Sequence, residues 1–170
     1  FSTDFVTYKH VPVKYTETFD DVFCDDNTPL DLSAHLTLRI QRGKSPILHM
    51  NYGQDWYSNN IKENFREIVR NFISTYDMYT LVSNREVYDS VKVDITEKLH
   101  EYIVRLNDDK EFPIDIVNVV VDKAKPNSEV MAELNKTATM AQQKQTQLKQ
   151  QEMEEQRRIT ENKRALADKE

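Results

Sequence analysis

All eight tyrosines, all seven phenylalanines and the single tryptophan of this 170-residue chain lie before residue 126. Aromatic rings supply much of the area that a core buries. The segment from Pro126 to Glu170 therefore has little from which to build a second core, and a globular domain is expected over residues 1–125. Charge divides at the same place. The formal net charge of −6 belongs to residues 1–125, whereas residues 126–170 carry eight basic and eight acidic side chains. The expected organisation is a domain over 1–125 followed by the start of a long helix over 126–170. Residue 1 falls in a strand-like stretch and residue 170 inside a helical pattern, so the chain reads as a fragment truncated at both ends.

Glycine and cysteine usage removes whole classes of chemistry. Gly43 and Gly53 are the two glycines, too far apart for a phosphate-cradling loop or a dinucleotide fingerprint. Cys24 is the one cysteine, which allows no intrachain disulfide and no cysteine-based zinc site. An acidic balance is the wrong sign for nucleic acid, so no nucleic-acid partner is expected. No run approaches the roughly 20 apolar residues that cross a bilayer, and the piece itself is expected to be soluble.

Residues 5–24 place Phe5, Tyr8, Val11, Val13, Tyr15, Phe19, Val22 and Phe23 in mixed alternation, which suggests two short strands. Asp25-Asp26-Asn27-Thr28-Pro29 reads as a turn. Leu30, Leu32, Ala34, Leu36, Leu38 and Ile40 then keep a strict period of two, the signature of a strand with one buried face. Helical spacing follows in Ile61, Phe65, Ile68, Phe72 and Ile73, with Ser58 as the expected N-cap. A capping box at Ser83-Asn84-Arg85-Glu86 opens a second helix, whose face is Val87, Val91, Ile95, Leu99, Ile103 and Leu106. Phe112–Val121 is β-branched and apolar on both faces, as in a central strand. The fold class is α+β: short, mainly antiparallel strands packed with two helices, then a long coiled-coil-type helix.

That last helix is polar nearly all round. Met131, Ala138, Ile159 and Leu166 share one heptad position, and Leu134, Ala141 and Leu148 share another. These seven residues are the candidate self-association site. Gln145, Glu152, Glu155 and Asn162 fall in the same registers and would interrupt a strict two-stranded zipper. The helix packs laterally against copies of itself, serves as a solvated spacer, or is disordered in isolation.

The chain resembles the prohibitin/stomatin/flotillin (SPFH, Band 7) domain family. The resemblance is carried by Asn27-Thr28-Pro29-Leu30 and Leu38-Arg39-Ile40, then by Ile61…Phe65-Arg66…Val69-Arg70. Leu81-Val82-Ser83-Asn84-Arg85 and Ile116…Val119…Val121-Asp122 continue it up to Pro126, and a charged Ala- and Gln-containing helix completes it. Two features depart from the family pattern. Glu111-Phe112-Pro113 replaces a glycine often found before the last strand, and the helix is richer in Gln than usual. The resemblance is closest to prohibitin-like bacterial members. It implies a non-enzymatic, membrane-associated scaffold that oligomerises side by side into rings or cages. Such a scaffold organises membrane microdomains or regulates membrane proteins, membrane-bound AAA proteases among them. It also implies lipid attachment through an anchor preceding residue 1, on a bacterial inner membrane or an organelle membrane. The alternative is a soluble coiled-coil adaptor whose globular head binds a protein partner.

No catalytic residue, cofactor site or metal site is expected. His10, His35, His49 and His100 lack metal-ligand spacing, and the Asp20-Asp21 and Asp25-Asp26-Asn27 pairs lack the glycine and late glutamate of a calcium loop. Cys24 reads as a buried thiol, with acylation the alternative that the family suggests. Trp56-Tyr57 is a core contact at the start of a helix or an anchor at a membrane interface.

Overall fold

The computed structural model describes residues 3–169, which form two compact units dividing between Asn127 and Ser128. The first contains β1 (Val13–Phe23), β2 (Pro29–Ile40), α1 (Ser45–Tyr52), a π-helical turn (Tyr57–Ile61), α2 (Lys62–Thr75), α3 (Met78–Ser83), α4 (Glu86–Asp109), β3 (Ile114–Val121) and β4 (Lys125–Pro126). The second is α5 (Ser128–Ala167).

The sheet is built around β2. Its alternation is followed residue by residue: Leu30, Leu32, Ala34, Leu36, Leu38 and Ile40 are all buried, the most exposed at 7%. β1 pairs antiparallel along one side of β2, while β3 and β4 pair antiparallel end to end along the other. β3 is therefore an edge strand, not the central strand its composition suggests. Val117 and Val120 stand 46% and 40% exposed on it. Its register slips at Val117, opposite Thr37 and Leu38. The bulge turns Ile114, Ile116, Val119 and Val121 onto the core side.

β1 also differs from expectation. Residues 3–12 take no regular structure and Val13–Phe23 is one strand, not part of two. The mixed phase of its sequence comes from a bulge between Phe19 and Val22, where Asp21 adopts φ 54°. Asp31 stabilises that conformation by accepting the Asp21 N–H at 2.9 Å.

The helices cover the core face. On α2 the buried stripe is Phe65, Val69 and Ile73, with Ile68 and Phe72 at its margin. On α4 it is Val91, Ile95, Leu99 and Ile103, an unbroken four-residue step. Two helices were expected in this unit, and α1 and α3 are additional. Ser58 is not an N-cap but lies inside the π-helical turn that leads directly into α2. The capping box is likewise not formed. Ser83 Oγ donates back to the Tyr79 carbonyl, and Asn84 Oδ1 accepts the Glu86 N–H at 3.0 Å. Asp77 caps α3 by accepting from the Thr80 N–H.

The end of the first unit is held tightly. The Tyr88 hydroxyl donates to the Leu81 carbonyl and accepts the Ala124 N–H at 2.8 Å. Asn127 donates from its backbone to the Pro29 carbonyl and from its side chain to Asp21 Oδ1, at 3.3 and 2.9 Å.

Candidate self-association surface

Alanine, leucine and glutamine favour helix, and no glycine or proline falls within α5. It runs for 40 residues without one buried residue, a length of about 60 Å. All seven residues singled out from the sequence are exposed: Met131, Leu134, Ala138, Ala141, Leu148, Ile159 and Leu166. At the α-helical step they fall within an arc about 100° wide. Among them Leu134, Ala141, Leu148, Ile159 and Leu166 recur at steps of seven, seven, eleven and seven residues. The eleven-residue step offsets the left-handed drift of the sevens, so the stripe runs nearly parallel to the helix axis. Gln145, Lys149, Glu152, Gln156 and Lys163 lie inside the same arc, whereas Glu155 and Asn162 fall just beyond its edge. Met140 and Met153, also exposed, are outside it. One ion pair on this helix, Arg157–Glu161 at 3.6 Å, is an exposed i,i+4 contact and contributes little.

The residues weighed for chemistry are spread across the first unit. Among the described residues, no group of three or more His, Cys, Asp or Glu side chains could hold a metal ion. The turn carboxylates serve the turn: Asp26 Oδ1 accepts from the Cys24 thiol at 2.6 Å and from the Thr28 N–H at 3.3 Å. Cys24 is only 3% exposed. Burial pushes its thiol pKa up, reinforced by the hydrogen bond to Asp26. Such a thiol is a poor nucleophile and does not present itself for acylation. Trp56 is 5% exposed and meets Phe112 edge-on at 5.9 Å, while Tyr57 stacks on Tyr15 at 3.9 Å. Both are core contacts at the start of the helix.

Two polar clusters were not foreseen. Glu17, 6% exposed, accepts from the Tyr57 hydroxyl at 2.8 Å and from Arg66 Nη1 at 3.0 Å. Burial, followed by that bond to Glu17, drives the Tyr57 phenol far above its ordinary range. The signal was present in the sequence: Glu17 sits between Tyr15 and Phe19 on the apolar phase of β1. The second cluster joins β1 and β2 to the residue that follows β3. Thr16 Oγ1 lies 2.9 Å from His35 Nδ1, and Asp122 Oδ2 lies 2.8 Å from His35 Nε2. Hydroxyl, imidazole and carboxylate stand in the order of a catalytic relay. Here Thr16 is the ladder partner of His35 in mid-strand and Asp122 directly follows β3, so the three side chains stand in a row across one face of the sheet. The row is a cross-strand tie.

The described residues thus form a mixed sheet-and-helix unit and a long helix that exposes apolar residues along one side. The family model described as SPFH domain / Band 7 family matches residues 1–158. The chain belongs to that family, whose members generally act as non-enzymatic membrane scaffolds. No curated protein matches the chain. Among the described residues, no helix is long and apolar enough to cross a membrane.

Proposed function

We propose that this chain is the head and the first part of the assembly helix of a membrane-associated scaffold. It oligomerises side by side into rings or cages and organises membrane microdomains or regulates membrane proteins, of which a membrane-bound AAA protease is one class. In this reading the 1–125 domain is the head, the helix from residue 126 carries lateral packing, and lipid attachment comes through a segment preceding residue 1. The direct passage of the domain into a Gln-, Glu- and Lys-rich helix favours a prohibitin-like member over a flotillin.

The observation that carries this reading is the stripe from Met131 to Leu166, exposed along a helix with no buried residue. A helix that is polar nearly all round needs neighbours or solvent, and the seven apolar residues gather on one side of it, where a neighbouring helix would cover them together. Electron microscopy of the detergent-extracted full-length protein tests the assembly. Large closed rings are expected, and monomers or small dimers would overturn it.

A further inference from the structure

The segment before β1 forms a strap across the end of β2 and is fastened to α1. The Tyr8 ring meets His49 edge-on at 5.7 Å, and its hydroxyl lies 2.5 Å from His49 Nδ1. Burial, then the nearby Asp55 carboxylate, raises the Tyr8 phenol, so the hydroxyl keeps its proton and the fastening holds. Between the strap and the sheet lies a cavity of about 320 Å³, at the lower end of the roughly 300–1,000 Å³ typical of ligand sites.

Exposure grades across this cavity. Leu38, Ile40 and Trp56 are buried and form its floor. Val6 and Val11 of the strap line the other side, with Val11 62% exposed. Lys9 and Gln54 are exposed at the rim. Lys9 is the one charged residue of the lining, because Asp55 stands beside Tyr8 outside it. Among the described residues, neither Lys9 nor Gln54 has a hydrogen bond or ion pair. Water between apolar walls lacks the polar partners it needs, whereas an aliphatic chain would bury surface on both sides.

We propose that this cavity takes one acyl chain with an anionic head group. The chain lies between strap and sheet with its far end on Leu38, Ile40 and Trp56, and the head meets Lys9 and the Gln54 amide at the rim. Branched aliphatic walls match the tail. Lys9 selects the sign of the head, since an anion gains from it and an ammonium is repelled. A free fatty acid and a tail of a membrane phospholipid both supply this chemistry. The inference stands apart from the assembly reading, because it uses neither α5 nor a second copy.

Trp56 is the chain's one tryptophan, so its emission reports on the floor. The test titrates the whole chain with decanoate brominated at its last carbon, below the concentration at which it forms micelles. Saturable quenching at one acyl chain per protein is expected. Decyltrimethylammonium should displace it poorly, and Lys9→Glu should weaken binding about fivefold, the scale of an exposed charge contact. Val11→Asp places a carboxylate against the tail and should abolish quenching; thermal unfolding checks that both variants fold. No quenching in the wild type overturns the proposal. Quenching retained in Val11→Asp overturns it too, because the chain then binds elsewhere. Unchanged affinity in Lys9→Glu, or equal displacement by the cationic chain, removes the assigned head and also overturns it. Phosphatidylglycerol vesicles with brominated tails separate the two sources. Quenching by them assigns the site to a membrane lipid, and its absence, with decanoate still bound, to a free fatty acid.

Discussion

Arg66 Nη1 lies 3.0 Å from the Glu17 carboxylate while its guanidinium sits 4.4 Å above the Phe19 ring. One side chain thus joins α2 to β1 through a charge and through a π face, with Arg66 19% and Glu17 8% exposed at their side chains. Removing one member of such a pair strands the other charge away from water, at a cost of roughly 3–5 kcal/mol. Arg66→Met is expected to cost about 3 kcal/mol in urea unfolding, the lower part of that range because the site keeps some solvent contact. Glu17→Gln combined with Arg66→Met should recover more than half of that loss. An equal loss in single and double variants would show that packing on Phe19, not charge, holds the contact.

The Cys24–Asp26 contact sets opposite pH limits. Hydrogen bonding from the Cys24 thiol is the leading cause that holds the Asp26 carboxyl below its ordinary value. The folded state therefore gains from ionised Asp26 above the unfolded value near pH 4, and the gain is lost as pH falls through the depressed folded value. The Cys24 thiol is shifted the other way, by burial first. Its contribution is complete below the unfolded value of about 8.5 and is lost as pH rises towards the folded one. Denaturant midpoints for wild type and Cys24→Ala should converge at both extremes and differ most between pH 5 and pH 8. A constant difference across the range would refute the linkage.

At the start of α4 the cap belongs to Asn84 and not to Ser83. Asn84→Ala is expected to lower stability by about 1 kcal/mol, the usual cost of losing an N-terminal side-chain acceptor. Ser83→Ala should cost less than half as much. The reverse order in chemical denaturation would restore the capping box.

Within α5, Leu134→Asp together with Leu148→Asp should weaken self-association of the full-length protein by more than tenfold. This follows because each leucine withdrawn from an interface forfeits about 1.5–3 kcal/mol. Sedimentation velocity measures it. Unchanged assembly would remove the stripe as a contact surface, and the thermal unfolding of the first unit should stay within a degree or two in either case.

What could be read from the sequence depended on how many residues repeat one signal. β2 repeats its period-two alternation from Leu30 to Ile40, and α4 its four-residue step from Val91 to Ile103, so both elements and their buried faces were legible. α1 and α3 are too short to show a period, and their starts depend on the turn at Gly43, with φ 75°, and on the Asp77 cap. β3 was misplaced because an all-apolar run does not distinguish a strand with two neighbours from one with a single neighbour. His35 and Asp122 look like ordinary polar residues, since their partners lie 19 and 87 positions away. Glu17 stands out by its place on the apolar phase of β1, but its partner Arg66, 49 positions on, does not. The stripe on α5 is visible as a pattern, and the α-helical step places Glu155 and Asn162 beside it.

The fastening at the end of the first unit has a mechanical consequence. Tension on the backbone at Ser128 reaches Asn127, which is bonded to Pro29 at the start of β2 and to Asp21 in the β1 bulge. Just upstream, β4 is paired with Leu30 and Asp31, and the Ala124 N–H is held by Tyr88 of α4. Force arriving there meets the Asn127 bonds first, and β4 and the Ala124 bond after them. The contacts at the end of the unit therefore open in order along the chain before the central strand is pulled.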